Sequence, residues 1–174
     1  MKFLKLDTYE EAIKKIEESV TFKLKSEDTP ISSSLNRILS EDLISPIDIP
    51  HYPKSQMDGY AVRSEDTFEA SETSPVKLKL IESINAGSTP RYFLKKNTCS
   101  YVATGAPVPE GADSVVMIEN TQLQGNYITL TRGVTQGENI MKMGYDIKKG
   151  KRILSKNTLI TPKVVGLLSG LGLK

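Results

Sequence analysis

The sequence predicts an α+β protein with mostly β structure: a small discontinuous α/β flank domain carries an inserted antiparallel β-barrel-like domain, and an N-terminal helix precedes both. Helical patterns occur only near the two ends of the chain. Prolines and glycines recur at short intervals from Pro46 to Gly150, which excludes a long helix there. Short runs rich in β-branched residues lie between these breakers. The predicted boundaries are 1–25 for the helix, 26–45 with 147–174 for the flank domain, and 46–146 for the insert.

Residues 7–25 have the pattern of an amphipathic helix. The apolar positions that share one face are Tyr9, Ala12, Ile13, Ile16 and Val20. Two capping boxes are possible at its start, one pairing Asp7 with Glu10 and the other pairing Thr8 with Glu11. A helix with such a stripe needs a surface on which to pack.

The insert contains three runs with strand character. Residues 75–81 alternate apolar and lysine side chains, while 114–118 and 127–131 are rich in β-branched residues. Their spacing predicts a small antiparallel barrel or sandwich. The segment 55–66 shows neither a helix nor a strand pattern.

The flanks of the insert carry the remaining elements. A short helix is predicted near 33–40 and a strand at 151–155. A last helix is predicted to be capped by Thr161, to open at Pro162 and to stop near Gly172. In the simplest arrangement the two flanks pair with each other and the insert projects from them.

The composition argues against several classes of protein. Lysines and arginines number 23 against 21 acidic residues and are interleaved with them, which makes nucleic acid a poor candidate partner. The single Cys99 excludes an internal disulfide, and the single His51 excludes a histidine-rich metal site. The first residues offer neither a signal-peptide core nor a membrane span, so we expect a cytoplasmic protein that does not associate with membranes.

Three glycine-containing turns carry side chains that could do chemistry. They are MDGY with Asp58, ATGAPVPEGAD with Thr104, and GENIMKMGYDIKKG with Asp146. Carboxylate and hydroxyl oxygens suit a hard cation such as Mg²⁺ together with a phosphate-bearing ligand. Each segment also has a structural explanation, since Asp-Gly is a common turn dipeptide and rigid loops often serve only the fold. The spacing alone does not bring the three together.

Four blocks of the sequence resemble a known family. They are 37–66, 84–90, 104–121 and 137–172, and they are similar to the N-terminal half of the molybdopterin molybdenumtransferases, the family of bacterial MoeA and of the C-terminal part of gephyrin. The blocks occur in the order and with the spacing of that family, and together they cover most of residues 35–172.

This resemblance implies a reaction and a set of site residues. The family inserts molybdenum from molybdate into adenylylated molybdopterin and releases AMP in a step that depends on a divalent metal, expected to be Mg²⁺. It implies catalytic roles for Asp58, Thr104 and Asp146, the two aspartates also being metal ligands. It further implies that Ser55, Gly59 and Gly105 bind the cofactor or substrate. A homodimer is expected, with other proteins of molybdenum cofactor biosynthesis as possible partners.

The chain differs from that family in length. The resemblance implies a third, pterin-binding domain and a fourth domain, and neither matches anything in this sequence, so we expect the chain alone to be inactive. The helix stripe at Tyr9, Ile13, Ile16 and Val20 would then lack its usual partner. Two alternatives stay open: a non-catalytic dimerisation or scaffold module, and a stand-alone oxyanion-binding domain.

Overall fold

A computed structural model describes residues 7–21 and 25–174. Within these ranges the chain forms two α-helices, α1 (Tyr9–Ser19) and α2 (Pro162–Gly170), and ten strands. The strands are β1 (Leu43–Ile44), β2 (Lys54–Ser55), β3 (Gly59–Val62), β4 (Val76–Ile84), β5 (Thr98–Val102), β6 (Ser114–Met117), β7 (Thr121–Gln124), β8 (Tyr127–Leu130), β9 (Ile140–Met141) and β10 (Arg152–Leu154). The prediction of a mostly β protein with helices near its ends is confirmed.

Six of the strands form one sheet in the order β6-β3-β5-β4-β8-β7. Every neighbouring pair is antiparallel except β4 and β5, which run parallel. The prediction of an entirely antiparallel insert is therefore wrong at this one pair. Residues 85–97 connect the two strands, and a connection of this length can carry the chain back to the same end of the sheet, as a parallel pair requires.

The sheet curls into a half-barrel. Strands β6 and β7 lie at its opposite edges, yet only the 3₁₀ turn Ile118–Asn120 connects them along the chain. In a flat sheet of six strands the two edges would be about 24 Å apart. Four residues of extended chain reach about 14 Å at most. The two edges must therefore approach each other, although the described residues show no pairing between them.

Side chains from both faces of the sheet are buried. One cluster comprises Tyr60, Val62, Leu78, Cys99, Val116, Ile128, Leu130 and Val134, and the other comprises Ala61, Ile84, Val102, Ala106 and Val115. Strand β3 shows the alternation, since Tyr60 and Val62 belong to the first cluster and Ala61 to the second. A strand buried on both faces has no polar alternation, which is why 55–66 gave no strand pattern although β3 lies within it.

Strand pairing joins the two flanks of the insert. Strands β1 and β10 pair antiparallel, with Leu43 opposite Leu154, and Ile38 forms a bridge with Leu159. The predicted helix near 33–40 is wrong, because only a 3₁₀ turn at Ile31–Ser33 forms. Asn36 takes a left-handed φ of 65°, which ends helical geometry and turns the chain toward that bridge. The domain boundaries at 45/46 and 146/147 stay a prediction.

The remaining predicted elements are confirmed. The runs at 75–81, 114–118, 127–131 and 151–155 form β4, β6, β8 and β10, and α2 opens at Pro162 as expected. Thr161 is its N-cap residue, but its side chain makes no capping hydrogen bond.

Helix α1 begins with the second of the two possible capping boxes, between Thr8 and Glu11. It ends at Ser19, and residues 22–24 of the predicted span lie outside the described residues. No residue of α1 is buried, and Tyr9 and Ile16 are 77% and 58% exposed. The apolar stripe therefore has no partner among the described residues.

The described residues contain no helix that is both long enough and apolar enough to cross a membrane.

Candidate functional site

A tight turn directly after β5 presents Thr104. The amide of Ala106 donates to the carbonyl of Ala103 at 2.9 Å, and Gly105 has a φ of 81°. A four-residue turn with a left-handed third residue is a type II turn, a geometry that favours glycine at that position. Thr104 is exposed at the second position of this turn.

A second turn, between β2 and β3, presents Asp58. The main-chain carbonyl of Asp58 accepts a hydrogen bond from the amide of Ile118 at 3.0 Å. Gly59 follows and is buried, and a Cβ atom there would lie 2.1 Å from the carbonyl oxygen of Val116. Only glycine lets β3 approach β6 this closely. Gly59 therefore holds the main chain of this turn against the sheet, and its predicted ligand contact stays a prediction.

Hydrogen bonds join the two turns through the Asp58 side chain. Its Oδ1 atom accepts from the backbone N of Thr104 at 2.6 Å and from the Thr104 hydroxyl at 2.8 Å. These hydrogen bonds, first the one from the backbone and then the one from the hydroxyl, hold the pKa of Asp58 below its usual value. The fold thus brings together two predicted site residues that lie 46 positions apart.

The Asp58 carboxylate keeps one oxygen open. Oδ1 takes both bonds from Thr104, whereas Oδ2 accepts none from the described part of the chain. Within the same part, no lysine or arginine forms an ion pair with Asp58. The side chain is exposed. The site therefore presents an ionised carboxylate whose orientation is fixed and whose negative charge has no internal partner.

Asp146 is not hydrogen-bonded to this pair. Its amide donates to the carbonyl of Ile49 at 2.9 Å and its side chain is exposed. In residues 7–21 and 25–174, no three His, Cys, Asp or Glu side chains assemble into a group that could hold a metal ion. The metal role predicted for Asp58 with Asp146 stays a prediction.

The segment that carries Asp146 nevertheless runs alongside the Asp58 turn. Strand β9 pairs with β2, and the Gln56 amide donates to the carbonyl of Asn139. The Asn139 side chain in turn donates to the carbonyl of Val115 at 2.8 Å. Sequence reasoning missed Asn139, and its only signal was an asparagine in a Gly-Glu-Asn turn, a residue that tolerates the left-handed φ of 59° observed there.

The groove beside the two turns does not include Asp58 or Thr104. It has a volume of about 550 Å³, with Tyr52, Tyr92 and Phe93 among its walls, and it reaches Pro53 and Pro107. A carboxylate on open surface binds a small ligand weakly by itself, because ligand sites are normally concave. The pair therefore has the character of one wall of a site.

The donor set fits a hard divalent cation. Mg²⁺ is commonly held by one or two carboxylates together with substrate phosphates and water, without a complete protein cage. Oδ2 of Asp58 is a free carboxylate oxygen, and the Thr104 hydroxyl beside it is a second hard oxygen.

Comparisons with known proteins give one consistent result. A family model described as the MoeA N-terminal region, domains I and II, matches residues 7–172. A molybdopterin molybdenumtransferase of Bacillus subtilis is 40% identical over 146 residues, which are 82% of this chain and 34% of that protein. Molybdopterin molybdenumtransferase 2 of Mycobacterium tuberculosis is 36% identical, over 83% of this chain and 36% of its own length.

A solved structure has the same fold. The crystal structure of the molybdopterin biosynthesis MoeA protein from Pyrococcus horikoshii OT3 matches with a TM-score of 0.89 and 36% identity, covering 98% of this chain and 45% of that one. The chain thus spans about a third of the curated relatives named here and less than half of this structure.

Proposed function

Because the chain belongs to the family defined by the MoeA N-terminal region, we propose that it contributes one wall of a site that inserts molybdenum from molybdate into adenylylated molybdopterin, with release of AMP. The observation that carries the proposal is the Asp58–Thr104 pair, in which an ionised carboxylate is held by two hydrogen bonds and keeps one oxygen free. The names of the relatives support molybdopterin and molybdate as substrates.

In this proposal Oδ2 of Asp58 holds Mg²⁺, and Asp146 supplies a further carboxylate on the neighbouring segment. When bound, the ion neutralises charge on the phosphate groups and acts as a Lewis acid at their oxygens. Thr104 fixes the direction of the Asp58 carboxylate through Oδ1. Asp58, whose pKa lies below the ordinary 3.8, is ionised at neutral pH and can bind a cation there.

Gly105 shapes the surface that the substrate would meet. Gly105 has no atom within 4 Å of the position of a Cβ, so the turn presents bare main chain beside Thr104. Part of the site would come from domains that this chain does not match, in a homodimer in the cytoplasm. Other proteins of cofactor biosynthesis would hand over the substrate or accept the product.

A second candidate function is a dimerisation or scaffold module. The exposed stripe of α1 favours it, because exposed apolar stripes commonly mark interaction surfaces. The two candidates differ in whether Asp58 matters for turnover.

AMP release tests the first candidate. The protein is assayed at the length that the cell produces, with adenylylated molybdopterin, molybdate and Mg²⁺, as wild type, Asp58→Asn and Asp42→Asn. Asp42 is a matched control, since it is also exposed and its Oδ1 accepts a backbone amide, that of Lys156, at 2.8 Å. We expect Asp58→Asn to lower AMP release about tenfold or more, the range typical when a metal site is disturbed, and Asp42→Asn to leave it unchanged.

Equal AMP release by all three proteins would refute the role of Asp58. If no form of the protein releases AMP while the wild type remains a dimer in solution, the scaffold candidate takes precedence.

A further inference from the structure

Ser55 lies beneath the Asp58 turn and touches both halves of the site from inside. Its side chain is only 1% exposed, which leaves no room for contact with a ligand. The hydroxyl donates to the main-chain carbonyl of Met57 at 2.6 Å, and the amide of Met57 returns a hydrogen bond to Oγ at 3.3 Å. The residue directly before Asp58 is therefore fixed by the Ser55 side chain.

The main chain of Ser55 holds the other turn. Its carbonyl accepts from the amide of Gly105 at 2.9 Å, and its amide donates to the carbonyl of Ala106 at 2.9 Å. These two hydrogen bonds fix the position of the type II turn that contains Thr104. Together with the bonds from Thr104 to Asp58, they close a ring in which Ser55 is the common member.

We propose that Ser55 is the positioning residue of the site: its hydroxyl sets Met57, and so the Asp58 carboxylate, at hydrogen-bonding distance from a Thr104 turn that its own main chain holds in place. The expected effect of Ser55 on metal binding rests on the proposed function. The family resemblance implied that Ser55 contacts the ligand. The Ser55 hydroxyl is instead buried and hydrogen-bonded to Met57, so its effect on a ligand would pass through Asp58.

Ser45 provides a matched control within the same chain. It is 2% exposed, and its hydroxyl donates to the carbonyl of Ile47 at 2.7 Å, the same pattern two residues ahead. Its amide donates to Lys151 and its carbonyl accepts from Gly150, at 2.9 and 2.8 Å. These contacts match those of Ser55 except for the bond from the Met57 amide to Oγ, and neither Asp58 nor Thr104 is among them.

The experiment compares Ser55→Ala with Ser45→Ala in the 174-residue chain by NMR. A hydrogen bond to a carboxylate is short and strong, and it places the amide proton of Thr104 downfield. We expect Ser55→Ala to move the Thr104 amide proton upfield while the Gly105 amide proton, which is bound to a main-chain carbonyl, keeps its position. Ser45→Ala should lower the unfolding temperature by a similar amount and leave the Thr104 signal unchanged.

A loss of stability in Ser55→Ala with an unmoved Thr104 signal would overturn the inference, because Ser55 would then be structural only. If Ser55→Ala does not fold, Ser55→Cys replaces it, since a thiol of similar volume is a weaker donor. An unmoved Thr104 signal in Ser55→Cys would overturn the inference equally.

A second readout separates this inference from the proposed function. Mn²⁺ alone is titrated into the same proteins, and line broadening near Asp58 reports binding. We expect binding to be about tenfold weaker in Ser55→Ala than in wild type, the usual result of removing a residue that orients a metal ligand. If Mn²⁺ does not broaden the signals of the wild type, the metal role of Asp58 is contradicted. The shift of the Thr104 amide proton then decides the positioning role of Ser55. Broadening of equal strength in wild type and Ser55→Ala would overturn the positioning role.

Discussion

Two corners of the molecule hold an exposed aspartate in nearly the same way. At the Asp42 corner, the Oδ1 atom of Asp42 accepts the backbone amide of Lys156 at 2.8 Å, as Asp58 accepts that of Thr104 at its own corner. Backbone hydrogen bonds are the largest cause that lowers the pKa of both carboxyls. The corners differ at the second oxygen: Oδ2 of Asp42 is bound by Arg152 at 2.9 Å, whereas that of Asp58 has no partner in the described chain.

The difference shows how a structural carboxylate can be told from a candidate ligand. At the Asp42 corner the chain supplies the cation itself, so the carboxylate is satisfied and its charge is neutralised. At the Asp58 corner the chain supplies only hydrogen bonds, which orient the carboxylate and lower its pKa without neutralising its charge. An oriented charge that lacks an internal counter-ion is suited to an external cation.

The largest effect is expected from the residue after Asp58. We expect Gly59→Ala to lower the free energy of unfolding by about 3 kcal/mol, because the added Cβ would overlap the carbonyl of Val116 in a tightly packed sheet. Chemical denaturation of the two proteins measures it.

Gly166→Ala is the control for that substitution. Gly166 lies in α2 with no atom near its Cβ position, so alanine there should stabilise the protein by about 0.5–1 kcal/mol. If Gly59→Ala were as stable as wild type, the Asp58 corner would not depend on the close contact between β3 and β6.

A smaller effect is expected from acid. Asp42 and Asp58 have pKa values lowered from 3.8, so their contribution to stability is fully present above that pH and is lost as the pH falls through their lower folded-state pKa values. The pKa of Glu138 is lowered from 4.5, mainly by the hydrogen bond from the backbone amide of Thr135, so its contribution to stability is also lost in acid. The unfolding temperature should fall below about pH 4. The Asp42→Asn, Asp58→Asn double variant should show a shallower fall, and an identical profile would contradict the assignment.

The smallest effect is expected from the Asp42–Arg152 ion pair, which the Asp58 corner lacks. Arg152→Met should lower the unfolding temperature by about 1 °C in low salt, because exposed ion pairs contribute little. The difference should vanish in 1 M NaCl, where the charges are screened. A larger loss that persists in high salt would mean that Arg152 acts through packing and not through its charge.

Much of the fold follows from local signals in the sequence. The alternation of apolar residues with lysines was sufficient to predict strand β4. The Thr-Pro pair at 161–162 was sufficient to predict the start of helix α2. The helix expected at 33–40 failed because Asn36 turns the chain toward the bridge between Ile38 and Leu159, a contact across more than a hundred residues. Local pattern cannot report such a contact.

The sequence names candidate residues for the site but does not indicate how they are arranged. The residues pointed to Asp58, Thr104 and Asp146 as candidates, and the family resemblance gave them roles. Nothing in the sequence indicated that the amide and hydroxyl of Thr104 would both donate to Oδ1 of Asp58. Nor did it indicate that the amide of Asp146 would donate to the carbonyl of Ile49. The side-chain contacts of Ser55 are to nearby main chain and those of Asn139 include a bond to Val115, 24 positions away, and composition and spacing reveal neither.

The pairing of β1 with β10 also sets an order of events in time. All six strands of the sheet lie between Gly59 and Leu130, whereas the β1–β10 pair joins Leu43 to Leu154. Pairing within the sheet closes shorter stretches of chain than the β1–β10 pair does, so we expect the sheet to form first, since distant contacts form late. In a refolding experiment with pulsed hydrogen exchange, the amide of Ala61 should become protected before that of Ser45, which donates to Lys151. Simultaneous protection would mean that the pair closes together with the sheet.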